Sequence, residues 1–204
     1  MTENGFEYVD LSLPSGTMWA TCNVGATKPE DEGLLFQFGR VDGYKYGDEN
    51  HKFKTNDQNL EDGSKSEYIP ITSSGKTYDE NDILDLADDA AHVHMGGKWK
   101  MPTKYELEEL MDNTTHDVVT INGVLGMRFT SNINGYQLFI PFAGYWYNGI
   151  FAAAEYNGYL WSSQVHPSNV YFAYILYCLS SGNANISYYF TRYCAFSVRG
   201  VFKK

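Results

Sequence analysis

The chain has 204 residues, 43% apolar and 20% charged, enough apolar material to bury the core of one domain and too much for a disordered chain. A net charge of −10, from 25 acids against 15 bases, argues against nucleic acid or an anionic membrane as partner. No apolar run reaches the roughly 18 residues of a membrane span, so no membrane insertion is expected.

Phe6 to Leu11 alternates as a short strand, Pro14-Ser15-Gly16 is turn chemistry, and Thr17 to Cys22 gives a second strand. Thr27-Lys28-Pro29-Glu30 has the form of a capping box. With Leu34, Leu35 and Phe38 as a stripe and Gly39 as a stop, it predicts a short helix. From about 40 to 80 the chain is polar and glycine-spotted without an apolar set of its own, which predicts a surface insertion in a single domain. Ile83, Leu86, Ala87, Ala90 and Ala91 restore helical spacing as far as Gly96-Gly97. Thr103 and Glu106 form a second capping box, and Leu107, Leu110 and Met111 share the helix face behind it.

After Asn113 the text changes to short strands and turns. Val118 to Ile121 leads into Asn122-Gly123, and further strands are expected at Gln137 to Phe142, Tyr159 to Ser162, Tyr171 to Leu179 and Ala195 to Phe202. Helices in the first half and antiparallel strands in the second make an α+β pattern.

Three ordered stretches carry a resemblance. Glu7-Tyr8-Val9-Asp10-Leu11 with Leu13 to Ala26, then Gly97-Lys98-Trp99-Lys100-Met101-Pro102-Thr103, then Gly158-Tyr159-Leu160-Trp161-Ser162-Ser163 with Phe196-Ser197-Val198-Arg199, resemble the paralogous surface domains of Bacteroidetes and Fibrobacter. Those domains are similar to the formylglycine-generating-enzyme branch of the C-type lectin fold, which also holds the variable proteins of diversity-generating retroelements. The resemblance covers nearly the whole chain and is weakest over 40–90. It implies two main helices packed on a small twisted antiparallel sheet with long loops.

Retroelement diversification rewrites adenines, so its products exclude Trp, Gln, Met, Lys and Glu. None of the chain's residues of these five types falls between Val165 and Val198, where about six would fall if they were evenly spread. The same window is rich in Tyr, Ser and Asn, the residues that binding surfaces favour, and Arg192 is its one formal charge. Residues 1–163 are then the expected scaffold and 165–198 the variable region. The expected ligand-binding residues are His166, Asn169, Tyr174, Tyr177, Asn183, Asn185, Ser187, Tyr188, Tyr189, Phe190, Thr191 and Tyr193. Tyr171, Phe172, Tyr174 and Tyr177 read equally as sheet core with their polar tips at the surface. In the run Tyr188-Tyr189-Phe190 at least one ring has to face outward from a strand.

Catalytic chemistry finds little support. Formylglycine-generating enzymes bind copper through a close cysteine pair, whereas Cys178 and Cys194 lie sixteen residues apart and outside that pattern. With Cys22 they make an odd, sparse set that cannot be a disulfide framework. The Glu-Pro-Asn, Gln-Pro-Asp and Trp-Asn-Asp signatures of calcium-dependent lectins are missing, and Trp161 is followed by Ser162-Ser163. Asp57, Asn59, Glu61 and Gly63 approximate a calcium loop, with the glycine one place late and the closing acid missing, so a solvated loop is the better reading. His92 and His94 suit a helix end, His51, His116 and His166 are scattered, and Asp88-Asp89 reads as a solvated helix face. Trp19, Trp99, Trp146 and Trp161 read as core.

The expectation is therefore a non-enzymatic binder without cofactor or metal, facing a macromolecular ligand such as a protein or a cell-surface component. The alternative is an undiversified structural or adhesin-type module of the same group. Variable proteins of the kind the chain resembles act on a phage particle or at the cell exterior, which is the expected setting, although the start, Met1-Thr2-Glu3-Asn4-Gly5, has no signal-peptide character.

Overall fold

Long-range strand pairing organises the molecule far more than its helices do. The computed structural model describes residues 1–48, 50, 82–147, 150–168 and 172–204, with the backbone alone at 188 and 189. The amino-terminal part forms β1 (Thr2–Glu3), β2 (Phe6–Val9), β3 (Thr17–Asn23) and β4 (Leu35–Gln37), followed by α1 (Ala90–Met95) and α2 (Lys104–Asp112). A meander of β5 (Thr114–Ile121), β6 (Val124–Ser131) and β7 (Gln137–Pro141) comes next, then β8 (Ala143–Tyr147), β9 (Ile150–Ala154) and β10 (Asn157–Val165). The chain ends with β11 (Phe172–Leu179), β12 (Ala184–Thr191), β13 (Ala195–Ser197) and β14 (Arg199–Lys203).

These strands make three sheets. The largest runs β12-β11-β10-β13-β8-β9 with β4 added on β13, so among the described strands β12 is an outermost one whose single ladder partner is β11. A four-stranded sheet runs β1-β2-β3-β14, and β5-β6-β7 forms the third. The middle of the largest sheet, β11, β10 and β13, is buried on both faces, and successive side chains of a strand enter opposite sides. Tyr159, Trp161 and Ile175 enter a cluster with Phe36, Phe38, Trp99 and Phe196. Leu160, Leu176 and Cys178 enter another with Leu107, Leu110, Phe129 and Val201.

The α+β expectation, with two main helices on a small sheet, is overturned: strands take up 49% of the structure and helix 9%, in helices of six and nine residues. The C-type lectin arrangement that the resemblance implied falls with it. The second capping box is as expected. Thr103 Oγ1 accepts from the Glu106 amide at 3.3 Å, Glu106 Oε2 accepts from the Thr103 amide at 2.8 Å, and Leu107 and Leu110 are buried. The first capping signature is not a helix start. Asp31 Oδ2 accepts from Lys28 N at 3.1 Å and from Thr27 Oγ1 at 3.2 Å, closing a turn, and the supposed stripe is β4 and its flanks. The helix expected from Ile83 begins only at Ala90, since Ile83 bridges to Gln164 and Leu86 to Asp88 form a turn. Asp88-Asp89 is not a solvated pair either: Asp89 is buried and is the N-cap of α1.

The two ends of the chain close the frame together. β14 pairs with β3, and β13 pairs with β4. Arg199 fastens this junction through neutral acceptors among the described residues, donating from Nε to Asn23 Oδ1 at 2.9 Å, from Nη1 to the carbonyls of Ala20 and Thr21, and from Nη2 to Phe139 O at 3.1 Å. Burial pushes its pKa down to about 10, so it stays charged at neutral pH. All four tryptophans are buried, and Trp161 Nε1 donates to Phe36 O at 2.7 Å. The expected insertion at 40–80 lies mostly outside the described residues, as do Asp57, Asn59, Glu61, Gly63 and His51. Among the described residues no helix is long and apolar enough to cross a membrane.

Candidate functional site

The window 165–198 covers the outer end of the largest sheet. β11 and β12 form an antiparallel hairpin through a turn at 180–183, where Leu179 N donates to Asn183 O at 2.8 Å. Gly182 has φ +91°, a backbone region that favours glycine. Asn183 is exposed and donates from Nδ2 to Ser181 Oγ at 3.2 Å.

One cross-strand row gives this hairpin a face. Tyr159 on β10 lies opposite Tyr177 on β11, and Tyr177 lies opposite Asn185 on β12. Tyr177 and Ser187 are half-buried and Asn185 is exposed. Phe190 lies beyond a register shift, packs against the first core cluster, and sets its ring 5.5 Å from Tyr159 and 5.4 Å from Phe196. Tyr145 of β8 completes the group, 5.2 Å from Tyr159 and half-buried. Burial raises the Tyr159 phenol, while a hydrogen bond from Asn157 Nδ2 at 3.2 Å works the other way. The phenol therefore stays protonated and serves as donor and acceptor. The group combines rigid rings with amide and hydroxyl groups able to make adaptable hydrogen bonds.

The expected residues do not all join this face. Tyr174 is 9% exposed and its ring lies 5.0 Å from Lys104 Nζ of α2, with His166 beside it at 5.6 Å. Tyr193 is 5% exposed and belongs to the frame, its carbonyl accepting from Gln37 Nε2 at 2.8 Å. Thr191 is half-buried, with Oγ1 at 3.7 Å from Cys194 Sγ. Asn169 and the side chains of Tyr188 and Tyr189 lie outside the described residues. Arg192, the one formal charge of the window, is 1% exposed with its guanidinium 5.9 Å from the Phe38 ring. Tyr145 and Tyr159 were not among the expected site residues because they lie outside the compositional window. The strand that carries Tyr145 has too many apolar residues in succession to show alternation.

The two thiols weighed above as copper ligands occupy different core clusters, Cys178 with Leu160 and Leu176, Cys194 with Phe196 and Trp161. Burial raises both, Cys194 to about 11, so neither is a ready thiolate. His92 Nδ1 is 3.0 Å from Trp99 O, and His94 Nε2 is 2.8 Å from Val41 O. Among the described residues no three His, Cys, Asp or Glu side chains are grouped to hold a metal ion. No family model, curated protein or solved structure matches the chain.

Proposed function

We propose that the protein is a non-enzymatic ligand-binding protein whose contact surface is the ring-and-amide face of the β11–β12 hairpin, and that codons 165–198 are the variable region of a diversity-generating retroelement. One observation carries the reading: the stretch free of Trp, Gln, Met, Lys and Glu coincides with the outermost hairpin of the largest sheet and its return into the frame. Tyr177, Asn185, Ser187 and Phe190, with the half-buried Tyr145 beside them and the buried Tyr159 as the ring they pack on, supply aromatic area and adaptable hydrogen bonds. The ligand class is a macromolecule, a protein or a cell-surface component, since rigid rings set among amide and hydroxyl groups are the chemistry that such interfaces favour.

A second reading, an undiversified adhesin-type module, is favoured by one fact. Tyr174, Arg192 and Tyr193 lie inside the window and are buried. The flanking DNA separates the two. A near copy of the 165–198 coding stretch, differing at adenines in the codons of Tyr177, Asn183, Asn185 and Ser187 and lying beside a reverse transcriptase gene, is the expected result. A flank without such a copy overturns the variable-region assignment and leaves the module reading.

A further inference from the structure

Asn is followed by Gly at five places in the chain, and the fold holds them differently. An Asn side chain can be attacked by the backbone nitrogen of the residue after it, and Gly lacks the Cβ that would crowd that approach. What decides the outcome is how firmly the side-chain amide and the following backbone amide are held.

Two of the five are locked. Asn157-Gly158 lies within the β10 ladder, opposite Leu179 and Cys178. Asn134 Nδ2 donates to Asp10 O at 2.8 Å and to Ser12 Oγ at 2.9 Å, and its Oδ1 accepts from Tyr136 N at 3.0 Å. The Gly135 amide is engaged as well, donating to Ser131 O at 3.1 Å. Asn4, in the β1–β2 turn, is held less: its Nδ2 donates to Met95 O at 2.5 Å and its side chain lies against Gly96 and Gly97. Asn148-Gly149 lies outside the described residues.

Asn122-Gly123 is the open case. Both residues are exposed in the two-residue turn between the paired Ile121 and Val124, and a Cβ added at Gly123 would meet nothing within 4 Å. The Gly123 amide donates to no acceptor among the described residues. The Asn122 side chain makes one bond among them, from Nδ2 to Glu30 Oε1 at 2.7 Å, between residues 92 positions apart. That bond ties the tip of the β5–β6 hairpin to the loop between β3 and β4.

We propose that Asn122 is a site of spontaneous deamidation, and that the reaction releases this tether. The Gly123 nitrogen bonds to Asn122 Cγ, the Cγ–Nδ2 bond breaks, and Nδ2 leaves as ammonia with the proton from Gly123. Water then opens the cyclic imide at either carbonyl, giving Asp, or isoAsp with one more carbon in the backbone. The donor that faced Glu30 is replaced by a carboxylate, so two like charges meet where an amide and an acid met before. The isoAsp product also lengthens a connection whose two residues set the pairing of β5 with β6. Ammonia is lost, the change runs one way, and the converted fraction records the age of the molecule.

The test is peptide mass mapping of the whole native protein during incubation at mildly alkaline pH, with a parallel sample in urea. In the native sample Asn122 should gain the amide-to-acid mass shift before Asn4, with Asn134 and Asn157 unchanged. In urea the four should convert at similar rates. Asn122→Asp, still a residue that such turns accept, should raise hydrogen exchange over residues 25–34 about two- to fivefold, the effect of losing one exposed charge-assisted contact. Adding Glu30→Gln to that variant should reverse the rise, because the amide then stands on the other side of the pair. Conversion of Asn134 or Asn157 ahead of Asn122, or an Asn122 that stays intact in the native sample while urea converts it, overturns the proposal. Unchanged exchange in Asn122→Asp, or no reversal on adding Glu30→Gln, overturns it too. None of these substitutions touches β11 or β12, so the hairpin reading stands or falls separately.

Discussion

Gln37 Nε2 donates to the carbonyl oxygen of Tyr193 at 2.8 Å, joining two buried residues 156 positions apart. The bond holds the chain just where it leaves β12 and turns back as β13. Gln37→Ala leaves a buried carbonyl without that donor, and unfolding in urea should show a loss of about 1–3 kcal/mol. An unchanged midpoint would show that the return from the hairpin needs no such clamp.

The window contains two kinds of position, and substitution should sort them. Tyr193→Ala removes a ring that is 5% exposed and should cost about 3–5 kcal/mol by cavity formation. Asn183→Ala and Asn185→Ala, at exposed sites, should change stability by no more than about 0.5 kcal/mol. Thermal melts of the three variants check the division. Equal losses at all three would remove the distinction between frame and face.

Asp89 gives the protein a defined acid response. Its two oxygens accept from His92 N at 2.9 Å and Met101 N at 2.7 Å, yet burial holds the carboxyl above its usual range despite those donors. The folded protein therefore keeps this proton to higher pH than the unfolded chain, whose value lies near about 3.9. The contribution of this group to stability is fully present below the unfolded value and is lost as pH rises through the folded one. The difference in unfolding free energy between wild type and Asp89→Asn, followed from pH 3.5 to 7, should shrink or reverse as pH rises. A difference that grows with pH would contradict the assignment.

The three thiols should react in a fixed order. Cys22 is half-buried beside a surface groove, Cys178 is buried, and Cys194 is buried with its thiol pushed up to about 11. At pH 8 only about one Cys194 in a thousand is thiolate, before access is considered. Iodoacetamide on the native protein should modify Cys22 alone within minutes, with all three labelled in urea, as read by peptide mass spectrometry. Early modification of Cys194 would mean that its pocket opens.

Local codes were readable and distant pairing was not. The helix from Lys104 follows from the reciprocal bonds of Thr103 and Glu106, four residues of sequence. The β5–β6 hairpin follows from Asn122-Gly123, which supply φ +49° and +88° between paired Ile121 and Val124. Thr27-Lys28-Pro29-Glu30 misled because Asp31 can close the same amides as a turn, and because Leu35, Phe36, Gln37 and Phe38, all buried, show no alternation. What makes β4 a strand is its pairing with β13, with Phe36 opposite Phe196, a contact no local window contains. The proposed binding face was half legible for the same reason. Composition pointed to Tyr177, Asn185 and Phe190, but only the register brings in Tyr159, and only the fold brings in Tyr145.

A strand with one ladder partner answers to fewer neighbours than any strand inside a sheet. β12 has that freedom along its length, while Gln37 and the core around Phe196 anchor the segment that follows it. Exposed residues such as Asn185 can thus be exchanged without retuning the frame, which is the tolerance that the proposed diversification would require.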